Sequence, residues 1–135
     1  MIVKVRHAMK PNPTVVDVET TVTEAVQMMI KNGQDAIFVV EEDAIKGIID
    51  LKNLLRYTYT EGFRPNQIPI NEIMNEEIVL TRPNTSLEDA LTIMTELKQD
   101  TLPVVDKDLI GSINIYDLLK LQPQTKPIET RPYLA

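Results

Sequence analysis

Few side chains in this sequence can do chemistry. There is one histidine, His7, and no cysteine. That excludes a disulfide framework, thiol catalysis, a thiolate zinc site and a histidine metal cluster. Nothing pairs a nucleophile with an aligned base, and no glycine-rich phosphate loop occurs, so the reading is of a non-enzyme. Arg6, His7 and Lys10 form the densest basic cluster, and such a group can contact phosphate. Glu41-Glu42-Asp43 has donors for a cation but also the composition of a solvated hairpin turn, which is the reading adopted. Met9, Met28, Met29, Met74 and Met94 are soft donors at helical spacing and are assigned to the core. Tyr57 and Tyr59 have rings that can stack on a base, and are assigned to packing at a repeat or subunit boundary. Asp50 and Asn114 stand at strand-to-helix junctions, where Asp and Asn are preferred N-caps. Asp117 lies in the first turn after Asn114, where the helix dipole favours an acid. No metal site is expected.

The elements that must position these groups come in two copies. Shifting the chain by 65 residues lays Met9 on Met74, Thr20 on Thr85, Ala25 on Ala90, Met29 on Met94 and Gln34-Asp35 on Gln99-Asp100. One deleted position near Ala44 makes the shift 64, and Gly47 then meets Gly111, Ile49 meets Ile113 and Leu54-Leu55 meets Leu118-Leu119. An internal repeat of this length is a repeated structural unit. In the first copy Thr14 to Val18 reads as extended. Thr21 with Glu24 has capping-box spacing. Val22, Ala25, Val26 and Met29 form one apolar helix face, and Asn32-Gly33 ends that helix. Strands over Ile37 to Val40 and Ile45 to Ile49 follow, then a helix from Asp50. In the second copy Ile70 to Met74 is a helical turn and Ile78 to Leu80 is extended. Thr85 caps a helix with Glu88 in the capping-box place. Strands follow over Leu102 to Val105 and Leu109 to Ile113, then a helix from Ile115 to Leu121. Thr58 to Asn66 is polar and holds Gly62 and Pro65. Gln122 to Ala135 holds Pro123, Pro127 and Pro132 and reads as a tail or a linker.

The chain has 135 residues and a formal charge of −6. The charge disfavours nucleic acid, which needs a basic surface. No apolar run approaches a membrane span and the first residues are not a signal peptide, so the expected location is cytoplasmic.

The order strand, helix, strand, strand, helix, with its motifs, resembles a tandem pair of cystathionine-β-synthase (CBS) domains, a Bateman module. The residues that carry the resemblance are clearest in the second copy. They are Val79-Leu80-Thr81, Pro83 to Ala90, Leu102-Pro103-Val104-Val105-Asp106, and Gly111-Ser112-Ile113-Asn114-Ile115-Tyr116-Asp117-Leu118-Leu119. The resemblance implies an α/β fold of two pseudo-symmetric repeats packed sheet to sheet into one module. Residues 5–57 and 70–122 would be the repeats, 58–69 a linker, and 123–135 a proline-rich tail or linker. It also implies a regulatory module that senses an adenosine-containing ligand (AMP, ADP, ATP or S-adenosylmethionine) in a cleft between repeats and needs no further cofactor. The expected partners are a second copy, as a homodimer, and an effector protein or domain. The alternatives are a structural dimerisation module with degenerate clefts, or a regulatory fragment of a transcription factor, transporter or enzyme.

The resemblance also proposes site residues. The family's motif is a glycine, two apolar residues, a hydroxyl residue, any two residues and an aspartate. The glycine would let backbone approach the ligand. The helix start would hold a phosphate, and the aspartate would accept ribose hydroxyls. The second copy offers Gly111, Ser112, Ile113, Asn114 and Asp117, and the preferred cleft would be completed by Thr14, Val16, Gln34, Asp35 and Ala36. Arg6, His7 and Lys10 are the expected phosphate contacts. The first copy offers Gly47, Ile48, Ile49, Asp50 and Asn53, completed by Val79, Asp100 and Thr101. Asp50 there replaces the hydroxyl and Asn53 the ribose acid. This second cleft is therefore expected to be acidic and to stay empty or take an uncharged or cationic group.

Overall fold

The computed structural model describes residues 3–60 and 64–119. The chain order is α1 (Val5–Ala8), β1 (Lys10–Pro11), β2 (Val15–Asp17), α2 (Val22–Asn32), β3 (Ala36–Glu41), β4 (Ala44–Asp50) and α3 (Leu51–Thr60). A 3-10 turn follows at Ile70–Glu72, then α4 (Leu87–Leu97), β5 (Thr101–Asp106), β6 (Asp108–Asn114) and α5 (Ile115–Leu119). The strands form two sheets of three, ordered β2-β3-β4 and β1-β6-β5. No helix among the described residues is long and apolar enough to cross a membrane. The expected proline-rich tail, the last residues of the final helix and Gly62 lie outside the described residues.

Local chemistry accounts for most of these elements. Thr21 Oγ1 accepts from the Glu24 N–H at 3.2 Å and starts α2, and Gly33 ends it at φ 61°. The left-handed conformation is cheap only for glycine. α4 starts on Ser86, whose Oγ accepts from the Asp89 N–H at 3.0 Å. The expected cap, Thr85, instead accepts from the Arg82 N–H in the preceding turn. The 65-residue shift places Ser86, not Thr85, on Thr21. α4 ends on Lys98 at φ 53°, a left-handed residue with a side chain. The β3–β4 turn is Glu42-Asp43, both at positive φ, while β5–β6 turns on Lys107 alone. That one-residue difference is the deletion near Ala44. The expected acidic turn is thus a hairpin turn of the type that matches strand twist. α3 runs through Thr60, so the start of the expected linker is helical.

β2 runs parallel to β3 over three pairs, Val15 to Asp17 on Phe38 to Val40. Its counterpart in the second copy shrinks to a single bridge, Thr81 with Val104. The cause is one residue. Phe38 donates its N–H to the Thr14 carbonyl at 3.1 Å. Pro103 occupies the equivalent place and has no N–H to give. The Gln99 side chain compensates. It is buried, accepts from the Val79 N–H, and donates to the Val79 and Thr101 carbonyls.

The packing units differ from the sequence units, because each copy lends its leading segment to the other. Val5, the first residue of α1, is fully buried in the second copy's core with Ala90, Met94, Leu102, Val104 and Ile113. Ile70, its counterpart, is fully buried in the first copy's core with Val22, Ala25, Met29, Val39 and Ile49. Backbone bonds tie both ends: Val5 N to Thr85 O at 2.7 Å, and Ile70 N to Thr20 O at 2.6 Å. β1 pairs with β6, and Asn75 bridges Ile48 in β4. The exchange is reciprocal, as an approximate twofold relation between the copies requires. It also sets the role of the two motif glycines. A Cβ on Gly111 would lie 2.8 Å from the Lys10 carbonyl, and one on Gly47 would lie 2.8 Å from the Asn75 carbonyl. These glycines admit the other copy's leading segment, not a ligand as the motif suggests. Met9 and Met74 sit over them, and the remaining grouped methionines also pack in or against the two cores.

Candidate functional site

β6 brings three consecutive side chains to the boundary between copies, and the strand pleat divides them. Ile113 points into the core, fully buried, while Ser112 and Asn114 point the other way. They line a cavity of ≈ 170 Å³ with Thr101, Tyr116 and Asp117 of the same copy. Gly33, Gln34, Asp35 and Ala36, at the α2–β3 junction of the other copy, form the facing wall, and Lys10 of β1 closes one side. A second cavity of ≈ 210 Å³ adjoins it through Asp35, Ala36, Thr101, Asn114 and Tyr116, and extends toward Asp50, Lys52 and Asp100.

Asn114 and Asp117 are locked together at the start of α5. Asn114 Oδ1 accepts from the Tyr116 N–H at 2.9 Å, and its Nδ2 donates to Thr101 Oγ1 at 2.8 Å. Asp117 Oδ2 accepts from the Asn114 N–H at 2.9 Å. Both residues therefore shape the helix end, whatever else they bind. Asp117 is only 6% exposed, and its Oδ1 faces Lys10 Nζ at 3.4 Å.

The equivalent cleft of the first copy is ≈ 410 Å³ and lies between α3, the end of α4 and the second leading segment. Asp50 and Asn53 cap α3 reciprocally: Asp50 Oδ1 accepts from the Asn53 N–H at 2.9 Å, and Asn53 Oδ1 accepts from the Asp50 N–H at 3.1 Å. Lys52, Arg56 and Lys98 also line it. Asp50 is the one acid among its lining residues, and Asp100, expected on the far wall, stands beside the cleft with Oδ2 3.8 Å from Lys52 Nζ. The cleft is therefore of mixed charge, where an acidic one was expected.

The sequence-derived residues are thus partly gathered. Gln34, Asp35, Ala36, Asn114 and Asp117 share the first cavity, with Lys10. Val16, Ile49 and Ile113 do not line a cleft, because each is on the core side of its strand. Thr14 is outside it as well, with Oγ1 accepting from Asn32 Nδ2. Arg6 hydrogen-bonds Asn84, and His7 Nδ1 accepts from the Lys4 N–H at the start of α1, so neither faces the first cavity. In the second set, Asp50 and Asn53 line the first copy's cleft. Thr101 instead belongs to the first cavity, Asp100 to the adjoining one, and Val79 is held by Gln99. Sequence reasoning missed Gly33 and Tyr116 as lining residues. Ser112, offered by the motif, lines the cavity because strand alternation around Ile113 turns it there. Among the described residues no group of His, Cys, Asp and Glu is arranged to hold a metal ion.

Known proteins match this architecture. The curated protein described as "CBS domain-containing protein YhcV", from Bacillus subtilis, is 34% identical over 115 residues, covering 84% of this chain and 81% of its own. The chain spans between 52% and 62% of three further curated relatives, and as little as 16% of a fourth. Among solved structures, the CBS domain of NE2398 superposes with a TM-score of 0.83 at 24% identity, covering 88% of this chain and 97% of that one. The CBS domain pair of protein MJ0100, solved with methylthioadenosine and S-adenosyl-L-methionine, gives a TM-score of 0.81 at 20% identity, covering 90% and 96%. The family model described as the CBS domain matches twice, over residues 5–59 and 70–123. With that double match falling on two copies that exchange their leading segments, this chain belongs to the CBS domain family and carries a tandem pair.

Proposed function

We propose that the chain senses an adenosine-containing ligand (AMP, ADP, ATP or S-adenosylmethionine) in the first cleft and has no catalysis of its own. CBS domain pairs are regulatory modules. One observation carries the reading: the nearly buried Asp117 carboxylate presents one oxygen to an inter-copy cavity whose opposite wall is Gln34 to Ala36. An aspartate so placed suits the two hydroxyls of a ribose. The MJ0100 pair, solved with methylthioadenosine and S-adenosyl-L-methionine, supports this ligand class.

Occupancy is passed on by population shift. A ligand that prefers one arrangement of the copies biases it by its differential affinity, typically about 1–3 kcal/mol. The receiver is an effector domain or protein, consistent with relatives far longer than the match. A second copy is the other partner. In the repeated Leu-Leu pairs, Leu54 and Leu118 pack on the cores, whereas Leu55 and Leu119 are 58% and 59% exposed. With Leu51, Tyr59 and Tyr116 also exposed, α3 and α5 offer apolar surface suited to a homodimer.

Isothermal titration with AMP, ATP and S-adenosylmethionine tests the reading. At least one is expected to bind, and Asp117→Asn, which keeps an acceptor for the Asn114 N–H, is expected to weaken it about tenfold or more. Silence of the wild-type chain across the panel would leave a structural dimerisation module with degenerate clefts.

A further inference from the structure

We propose that two molecules of this chain swap their first leading segments, residues 3–11, so that one wall of each first cleft is supplied by the other molecule. The observation behind it is the join between β1 and β2. Asn12 stands there at φ 55° and is followed by Pro13. Among the described residues, the other non-glycine residues at positive φ are Glu42, Asp43 and Lys107 in the hairpin turns and Lys98 at a helix end. Strand twist and helix termination call for a left-handed residue at those places. Neither applies at Asn12, and a following proline favours extended backbone instead. Glu77, the equivalent residue after the second leading segment, has no positive φ. Asn12 and Pro13 also border a cavity of ≈ 540 Å³ that reaches Asp43 and Leu109, so packing does not pin the join.

Residues 3–11 bind as a unit. Val5 is fully buried beside Ala90, Met94 and Leu102. The Val3 carbonyl accepts from the Leu87 N–H at 3.0 Å, and the Arg6 N–H donates to the Pro83 carbonyl at 2.9 Å. Lys10 and Pro11 pair with Ser112 and Gly111. The same segment from another molecule makes every one of these contacts, because the surface that receives it is the same. A swap therefore keeps the contacts and lets Asn12 extend. Two strained joins are relieved for one loss of translational freedom. The pair of Lys10 Nζ with Asp117 Oδ1, at 3.4 Å, then crosses from one molecule to the other. The first cleft becomes a site shared by two chains, whichever ligand it takes. The exposed apolar surface of α3 and α5 makes no such demand, since it can join two molecules whose leading segments stay at home.

The chain has no cysteine, so an engineered disulfide tests the proposal. Lys10→Cys with Ser112→Cys puts two thiols at directly opposed strand positions, within disulfide reach. The double variant is refolded from urea as a concentrated stock, oxidised with glutathione disulfide and run on a denaturing, non-reducing gel. A segment at home closes the bond inside one chain, which runs as a monomer even if α3 and α5 hold a dimer. A swapped segment closes it between chains. A covalent dimer well above the background of either single-cysteine variant is expected. Adding Asn12→Gly, which relieves the join without a swap, is expected to lower its yield about fivefold. Monomer alone, a dimer yield no higher than background, or a yield that Asn12→Gly leaves unchanged overturns the proposal. So does a double variant that forms no disulfide, because β1 is then seated on β6 in neither way.

Discussion

At the first cleft the capping acid three residues beyond the strand end is Asp117; at the second, the equivalent place carries Asn53. Both side chains return a hydrogen bond to their cap residue, at 2.9 Å and 3.1 Å. The helix ends are therefore equally well made, and the difference lies in what remains after capping. Asp117 keeps an oxygen for the cavity, with one cation, Lys10, against it. Asn53 keeps no charge, and its cleft is lined by Asp50 with Lys52, Arg56 and Lys98, Lys52 being paired with Asp100 at 3.8 Å. At these two helix ends the duplicated fold thus keeps the returning hydrogen bond while the charges around it diverge.

The sharpest challenge to this equivalence of scaffolds lies at the two glycines. Alanine at Gly111 or at Gly47 would put its Cβ against a backbone carbonyl and a methionine sulfur within 2.9 Å. Each is expected to destabilise the fold by about 1–3 kcal/mol, as overpacking does, read by urea unfolding. A large loss at one glycine and none at the other would show that the exchanged segments are not equivalent. The two glutamines test the divergence. Gln99→Ala removes three hydrogen bonds that stand in for a missing strand ladder, and about 1–3 kcal/mol should be lost. Gln34→Ala, in the copy with an intact β2–β3 ladder, should stay within about 0.5 kcal/mol. A gain is expected at the helix ends. Lys98 holds a left-handed conformation where the first copy uses Gly33. Lys98→Gly should raise stability by about 0.5–1 kcal/mol, read as a higher unfolding midpoint.

The repeat, the apolar face of α2, the acidic hairpin turn and the Asp117 position were all legible in the chain, because each is a local pattern or a short-range spacing. The cap on Ser86 was legible too, through its alignment on Thr21, and was missed by taking the first hydroxyl of the pair. The exchange of leading segments was not legible. Val5 and Ile70 read as apolar residues near a helical turn, and nothing local says which core they enter. The same gap misplaced Val16, Ile49 and Ile113. Their motif positions pointed to the cleft, whereas the pleat turned them inward and left the cleft to their neighbours. The mixed charge of the second cleft was missed because Lys52, Arg56 and Lys98 join its lining only when α3 meets the end of α4.

The exchanged segments make each half of the chain a socket whose plug is carried by the other. A single half made alone would have an empty socket and a stranded plug. Two identical halves could satisfy each other, so joining them in one polypeptide turns an association between molecules into a fold.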